Sequence, residues 1–348
     1  MHTHVFSKIN NETEPVELSV IVVNWNTKEM LRECLELVQL AIGRLRCEII
    51  VIDNGSKDGS VEMLRSSFPN IRLIENSENL GFPKAVNQGL SISTGRYLAL
   101  LNPDVMTTKN SLAEMVKFLS GHPEAAAVGP QLIGRSGHMQ YCGGYAPSPM
   151  AAFRQFVELQ ALRGGRSRGV MVRSRFSNRP QSVDWLCGGS LILNRKAVDS
   201  VGMMDESRFL YADDVDYGIR MRKAGWKLYL LPWIRIVHYG GASVAGFEEV
   251  KLLWLGGIFR IAANNLSRTA YFFFSIFMAA SFMSRYLLVG LLRAMPRGSG
   301  LLNKEVSSTK EMLLYAKTSF KFAMSHPKYA MTLCTDLEKS YRKSAAEV

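Results

Sequence analysis

The five cysteines, Cys34, Cys47, Cys142, Cys187 and Cys334, are scattered, and none forms a CxxC pair. No Cys/His cluster has zinc-ligand spacing, so a zinc module is excluded and a disulfide framework is not expected. They read as reduced thiols of a cytosolic protein. The sequence also lacks GxGxxG and GxxxxGK[ST], which argues against a dinucleotide-dependent oxidoreductase and a P-loop enzyme. No GxSxG elbow and no HExxH are found. The stretch 1–17 is polar and has no apolar core, so a secretory signal is not expected. There is no internal repeat and no low-complexity tract. His2 and His4 lie in this flexible tail and read as frayed terminus rather than metal ligands.

Acidic residues are in deficit. Asp and Glu number 30 against 42 Lys and Arg, a net charge of +12 over 348 residues. The excess is uneven: Arg154 to Pro180 holds seven arginines and one acid, Glu158. From Gly246 onward, 14 basic residues face 7 acidic ones and alternate with apolar stretches. Basic residues beside apolar runs fit an anionic membrane surface better than nucleic acid. A solubilising surface excess is the plainer explanation.

What is present is a series of short apolar runs that end in polar residues. LSVIVVNWN (Leu18–Asn26), EIIVI (Glu48–Ile52), a run near Ile71–Glu75 and YLALL (Tyr97–Leu101) read as buried strands. Helical spacing occupies Lys28–Leu45, Ser60–Ser66 and Pro83–Ser91. This alternation predicts a doubly wound, mainly parallel sheet with ligands beyond the carboxyl ends of its strands. Further on, the spacing predicts a strand near Gln131–Leu132, a mobile basic loop, a strand at Ser190–Leu193 and a helix from about Val215. Separate strands are expected in LYLLP and RIVHYG. From Phe247 the chain reads as helical. Thr269–Ser284 is 16 residues without a charge. It is shorter than the roughly 20 residues of a span, and extending it places Arg285 in mid-membrane. An interfacial helix is therefore favoured over a span, with a buried bundle helix as the remaining reading.

Three polar clusters, Asn24, Asp53 and Asn102/Asp104, stand at the ends of the first, second and fourth strands, and an acidic pair and a histidine follow later in the chain. Asp53, in DNGSKDGS, can accept from a nucleobase or ribose, or can simply be a turn residue. Asn102-Pro103-Asp104 can hold a divalent cation against phosphates, or can be a turn. Asp213-Asp214, read as lying ahead of a helix, can supply a general base or can pair with the helix dipole. His238 follows RIV and can be structural or a metal ligand.

Taken in order, SVIVVNWN, VIDNGSKDGS, NLGFPKAVNQGL, LNPDV, the long segment from Trp185 to Trp226 and VHYGGAS resemble glycosyltransferase family 2, in its bacterial rhamnosyltransferase-like branch. The resemblance covers about Leu18 to Ser243. It implies an α/β fold of GT-A type over 18–245, after the tail 1–17, with a C-terminal helical region at 246–348. It implies an inverting transfer from a nucleotide diphosphate sugar, with a tilt toward dTDP-rhamnose. The acceptor would be a glycan or a polyprenyl-diphosphate-linked hydroxyl. Site residues carried by the resemblance are Asn24, Asp53, Asn79, Gly81, Phe82, Asn87, Asn102 and Asp104 for the donor. Asp104 and His238 would serve a divalent metal, Mg²⁺ or Mn²⁺. Asp214, beside Asp213, would be the base. Trp185, Gly188 and Gly189 would form the acceptor side. The sequence departs from the family where an amide, Asn102, replaces the first acid of DxD, and where Asp213 stands in place of the commoner Glu. Arg163 to Arg179 would approach acceptor phosphates. The expected setting is the cytoplasmic face of the plasma membrane, without nucleic acid. The rival readings are a metal-dependent nucleotidyltransferase, which lacks its Gly-rich basic signature here, and a non-catalytic basic binding protein.

Overall fold

The computed structural model describes residues 15–157, 169–172, 177–240, 250–294 and 309–346. It separates into two compact units. The first comprises residues up to Gly143 together with Phe176–Ala245, and the second comprises Gly144–Arg175 together with Gly246–Val348. The tail 1–14, most of the basic loop including Arg163, Arg166, Arg168, Arg173 and Arg175, and Gly241–Glu249 lie outside the described residues.

The first unit begins with β1 (Leu18–Asn24), α1 (Lys28–Ala41), β2 (Cys47–Asp53), α2 (Ser60–Ser67), β3 (Arg72–Glu75), α3 (Phe82–Ile92) and β4 (Tyr97–Leu101). Strands β1, β2 and β4 are almost wholly buried, because helices cover both faces of a parallel sheet and leave no polar side to alternate. After β5 (Val105–Met106) and α4 (Ser111–Gly121), the chain adds β6 (Ala125–Ile133) and β7 (Gly143–Gly144). The order β3-β2-β1-β4-β10-β6-β11-β5 is completed by β10 (Ser190–Asn194) and β11 (Lys227–His238), with β8 (Gln181–Val183) pairing β11. The short β9 (Trp185–Leu186) pairs β7 in a separate ribbon. β1 to β4, β6 and β11 share one direction, and β10 runs against both of its neighbours. The sheet is thus mixed and mostly parallel, flanked by helices that include α6 (Arg195–Val201) and α7 (Asp213–Lys223). Gly89 lets α3 lie tight on the sheet: a Cβ there would stand 2.5 Å from Ile21 Cγ2 and 2.8 Å from Ile52 Cδ1.

Several elements differ from the sequence reading. LYLLP and RIVH form one strand, β11, because its register with β6 shifts between Leu231 and Arg235 instead of breaking. β6 starts at Ala125, well before Gln131, since its small residues Ala125, Ala126 and Ala127 are buried strand rather than loop. The helix α4 was not foreseen. Asp213 and Asp214 are not ahead of a helix but form the first turn of α7.

The second unit contains α5 (Pro149–Val157), α8 (Val250–Asn265), α9 (Arg268–Ala294), α10 (Thr309–Met324) and α11 (Lys328–Ala346). Its core is aromatic: the Phe259 ring lies 4.4 Å from Phe322, 5.2 Å from Phe274 and 6.2 Å from Tyr271. Among the described residues, only α9 is long and apolar enough to cross a membrane, over Arg268–Leu287, and 39% of its most apolar window is buried.

Candidate active site

The parallel register sets Asn24 beside Asp53 at the carboxyl ends of β1 and β2. Asn24 Nδ2 donates to Asp53 Oδ2 at 2.8 Å and to Ser56 Oγ at 3.1 Å, while Asn24 Oδ1 accepts from Thr27 Oγ1 at 2.6 Å. Asn24 has no exposed surface. Its side chain is engaged by Asp53, Ser56 and Thr27. Asp53 Oδ1 accepts from the Ser56 amide at 2.8 Å. Both carboxylate oxygens of Asp53 are therefore engaged in the joint between the first two strands. A nucleoside bound by Asp53 must share these oxygens or shift the Ser56 turn.

The segment 79–87 is built as a platform. Asn79 Oδ1 accepts from the Gly81 amide at 3.0 Å. Gly81 has φ +87°, and a Cβ there would meet the Phe209 carbonyl at 2.7 Å, so only glycine fits both the torsion and the space. The Phe82 amide donates to the same carbonyl at 2.9 Å. Asn87 Nδ2 donates to the Met204 carbonyl and to Glu206, and Asn87 Oδ1 accepts from the Met204 amide, all within 2.9–3.0 Å. Four bonds thus clamp this segment to the chain leading into α7.

That chain enters α7 through two consecutive left-handed residues, Tyr211 (φ 68°) and Ala212 (φ 60°). Each costs roughly 1–2 kcal/mol in a residue with a Cβ. The turn delivers Asp213, buried, and Asp214, half-buried, at the start of α7. Asp214 Oδ2 accepts from the Gly188 amide at 3.0 Å, and Oδ1 accepts from the Val215 amide at 2.8 Å. Burial pushes the Asp214 carboxyl up, and these amides pull it back. Burial, then the neighbouring Asp214 charge, push Asp213 up to about 7. Arg208, 4% exposed, opposes both shifts. Its guanidinium lies 3.5 Å from Asp205 and 3.5 Å from Asp216, and Nε has no hydrogen-bond partner. Sequence reasoning missed Arg208; an arginine five residues before a buried acid pair was the available signal.

Gly188 and Gly189 join the two halves. A Cβ on Gly188 would touch Asp214 Cβ at 3.5 Å and Phe82 Cε1 at 3.6 Å. One on Gly189 would touch Asn102 Nδ2 at 3.4 Å and His238 Nε2 at 3.6 Å. The Asn102 amide donates to the Gly189 carbonyl at 2.9 Å. The glycines therefore leave the floor open between the acid and Asp104's neighbourhood. Trp185 is 4% exposed and packs against Gly218 of α7. It presents little surface and supports the acid helix from behind.

Asp104 is buried, and its Oδ1 lies 3.5 Å from His238 Nε2. Gln140 fixes the ring. Its Nε2 donates to the His238 carbonyl at 2.9 Å, and its Oε1 faces His238 Nδ1 at 2.7 Å. A carbonyl only accepts, so the amide has one orientation and Nδ1 carries the proton. In the neutral ring, Nε2 then turns a lone pair toward a carboxylate. That donor set suits a cation between them, with an outer partner fixing the tautomer. Among the described residues, no three His, Cys, Asp or Glu side chains gather to hold an ion alone, so the remaining ligands would be phosphate oxygens and water. Gln140 too was missed, because nothing local in the sequence links it to His238.

Residues 19–177 match the model for Glycosyl transferase family 2. An N-acetylglucosaminyl-diphospho-decaprenol L-rhamnosyltransferase of Mycobacterium tuberculosis is 28% identical over 237 residues, covering 65% of this chain and 77% of that protein. The low-salt glycan biosynthesis hexosyltransferase Agl10 of Haloferax volcanii is 22% identical, covering 72% and 76%. In fold, the chain is similar to the mannosyltransferase PcManGT of Pyrobaculum calidifontis, solved with GDP-Man and Mn²⁺ (TM-score 0.50, 19% identity, 96% of this chain and 87% of that one). It is also similar to GalNAc-T7, solved with UDP, GalNAc and Mn²⁺ (TM-score 0.54, 15% identity, 92% and 58%). The family match over residues 19–177 and the two curated relatives favour sugar transfer over nucleotidyl transfer and over a non-catalytic role: the chain is a glycosyltransferase whose residues 19–177 are similar to family 2.

Proposed function

We propose that this enzyme transfers a sugar, with inversion, from a nucleotide diphosphate donor to a hydroxyl of a lipid-linked diphosphate acceptor in surface polysaccharide synthesis. The relative named for decaprenol-linked rhamnosyl transfer supports the acceptor class and tilts the donor toward dTDP-rhamnose. The same reading places the enzyme at the cytoplasmic face of the plasma membrane. The observation that carries the chemistry is the hydrogen-bonded carboxylate of Asp214 facing the glycine floor.

The acceptor oxygen attacks the anomeric carbon opposite the diphosphate. The bond from that carbon to the phosphate oxygen breaks, and the electron pair leaves with the diphosphate. The acceptor proton passes to Asp214, whose burial makes it a stronger base than an exposed carboxylate. The Gly188 and Val215 amides hold both its oxygens, so the carboxylate is aimed before the acceptor arrives. The fixed platform of Asn79, Gly81, Phe82 and Asn87 closes the donor side, with Asp53 at the nucleoside end. Asp104 and the Nε2 of His238 would hold a divalent cation, Mg²⁺ or Mn²⁺, which supplies positive charge to the leaving diphosphate. Asn102, an amide where the family has an acid, would offer a neutral contact there. Mn²⁺ in both fold neighbours supports this.

Calorimetry with dTDP, UDP and GDP, each with and without Mn²⁺, tests the reading. Metal-dependent binding of one nucleotide, lost in Asp104→Ala, is expected. Binding of none would overturn the donor assignment.

A further inference from the structure

We propose that an aromatic face shared by α5 and α9 docks this protein on an anionic lipid bilayer, with α9 lying along the surface instead of crossing it. The inference rests on the lipid-linked acceptor reading above and names the surface that would meet the membrane.

One side of α9 is spent on protein. Tyr271, Phe274, Ser275, Met278, Ala279 and Phe282 are buried at helical spacing. Ser281 Oγ donates to the Gln155 carbonyl of α5 at 3.3 Å. To cross a bilayer as a single span, α9 would have to leave the helices packed on this flank, α5 and α10. The other side is open and aromatic. Phe272 and Phe273 are 40% and 48% exposed, and α5 adds Met150, Phe153 and Val157 at 56%, 42% and 42%. The rings run on continuously: Phe153 meets Phe277 edge-on at 5.3 Å, Phe277 lies 6.5 Å from Phe273, and Phe273 lies 5.6 Å from Phe272. Contiguous exposed apolar surface of this kind marks an interaction site.

Charge selects the occupant. Neither α5 nor the stretch Arg268–Leu287 contains an acidic residue. Arg154 follows Phe153, and Arg268 stands one helical turn before Phe272; both are exposed. Across a two-fold axis this patch would meet its own copy, and neither α5 nor the stretch Arg268–Leu287 would offer an acid to pair these arginines. Anionic headgroups would neutralise them while the rings enter the acyl boundary, the arrangement of an interfacial helix.

The test is flotation of the full chain with vesicles of phosphatidylcholine alone or mixed with phosphatidylglycerol. Wild-type protein is expected to float with the anionic vesicles. Phe272→Ser with Phe273→Ser is expected to weaken binding by about tenfold per ring lost, with transfer to a short soluble acceptor unchanged. Phe273→Trp, which keeps an aromatic ring, is expected to float normally and to be quenched by brominated lipid beyond the wild-type background. If the wild type binds no vesicle, the membrane reading of the function fails together with this one. If the wild type floats and both the serine variant and the tryptophan probe are indifferent to lipid, only the α5–α9 surface is overturned. A wild-type dimer by light scattering that the serine variant dissociates, with no flotation, would assign the face to a second copy and overturn the proposal.

Discussion

The amide of Gly188 donates to Oδ2 of Asp214 at 3.0 Å, tying the acid at the start of α7 to the glycine floor beside β10. Asp214→Asn keeps the size of the side chain and removes the base. Transfer is expected to fall about 10²–10⁴-fold, with nucleotide affinity by calorimetry close to wild type. Full turnover in the variant would remove Asp214 from the mechanism.

The acid pair sets a pH dependence. Asp214 must be ionised to accept a proton, and its carboxyl is displaced upward, burial being the main cause. Activity is expected to fall on the acid side at a pH above the ordinary aspartate range. Arg208 lowers both acids, so Arg208→Met is expected to move that limb to higher pH. A pH profile of kcat/KM reads this directly, and an unmoved limb would give Arg208 a packing role only.

The same displacement bears on stability. Asp213 holds its proton to about 7 in the folded chain, against 3.8 for the free side chain. The folded state binds that proton more tightly, so the contribution is complete below pH 3.8 and is lost as the pH rises through about 7. Asp213→Asn does not titrate. Its melting temperature relative to wild type is expected to climb between pH 4 and 7 and to level off above. A constant difference across that window would contradict the burial argument.

Gln140 orients His238 without touching the substrate side. Gln140→Leu removes the acceptor at Nδ1 and is expected to raise the Mn²⁺ concentration needed for nucleotide binding by about 10–100-fold. Saturating Mn²⁺ should restore binding. A defect that metal cannot rescue would point to a collapsed loop instead.

Gly81→Ala combines a forbidden torsion with a Cβ 2.7 Å from the Phe209 carbonyl. Destabilisation of about 1–3 kcal/mol is expected, read as a lowered midpoint in urea. Because Phe209 leads into the acids, kcat is expected to fall as well.

The first half of the sheet was legible because each strand is a short apolar run whose end coincides with a polar cluster. Leu18–Asn24, Cys47–Asp53 and Tyr97–Leu101 fall within two residues of their expected limits. The start of α7 was not legible, since Tyr211 and Ala212 are ordinary residues forced left-handed by their surroundings. The sequence reading placed Asn24, Asp53, Asn102, Asp104 and His238 at strand ends but could not say which side chains are taken up by neighbours. Asn24 is spent on Asp53, and Asn87 on Met204 and Glu206. The grouping of α5 with the C-terminal helices is a long-range event with no local signature.

The antiparallel β10 lies between β4 and β6, although it is made long after β4. During synthesis at roughly 5–20 residues per second, β4 therefore waits on the order of ten seconds with an unpaired edge. An exposed, fully apolar edge recruits other strands. Fragments ending at residue 177, where the family match stops, would keep that edge permanently. Such fragments are the wrong choice for isolating the donor half, and slower translation between the two strands would lower the yield of soluble enzyme.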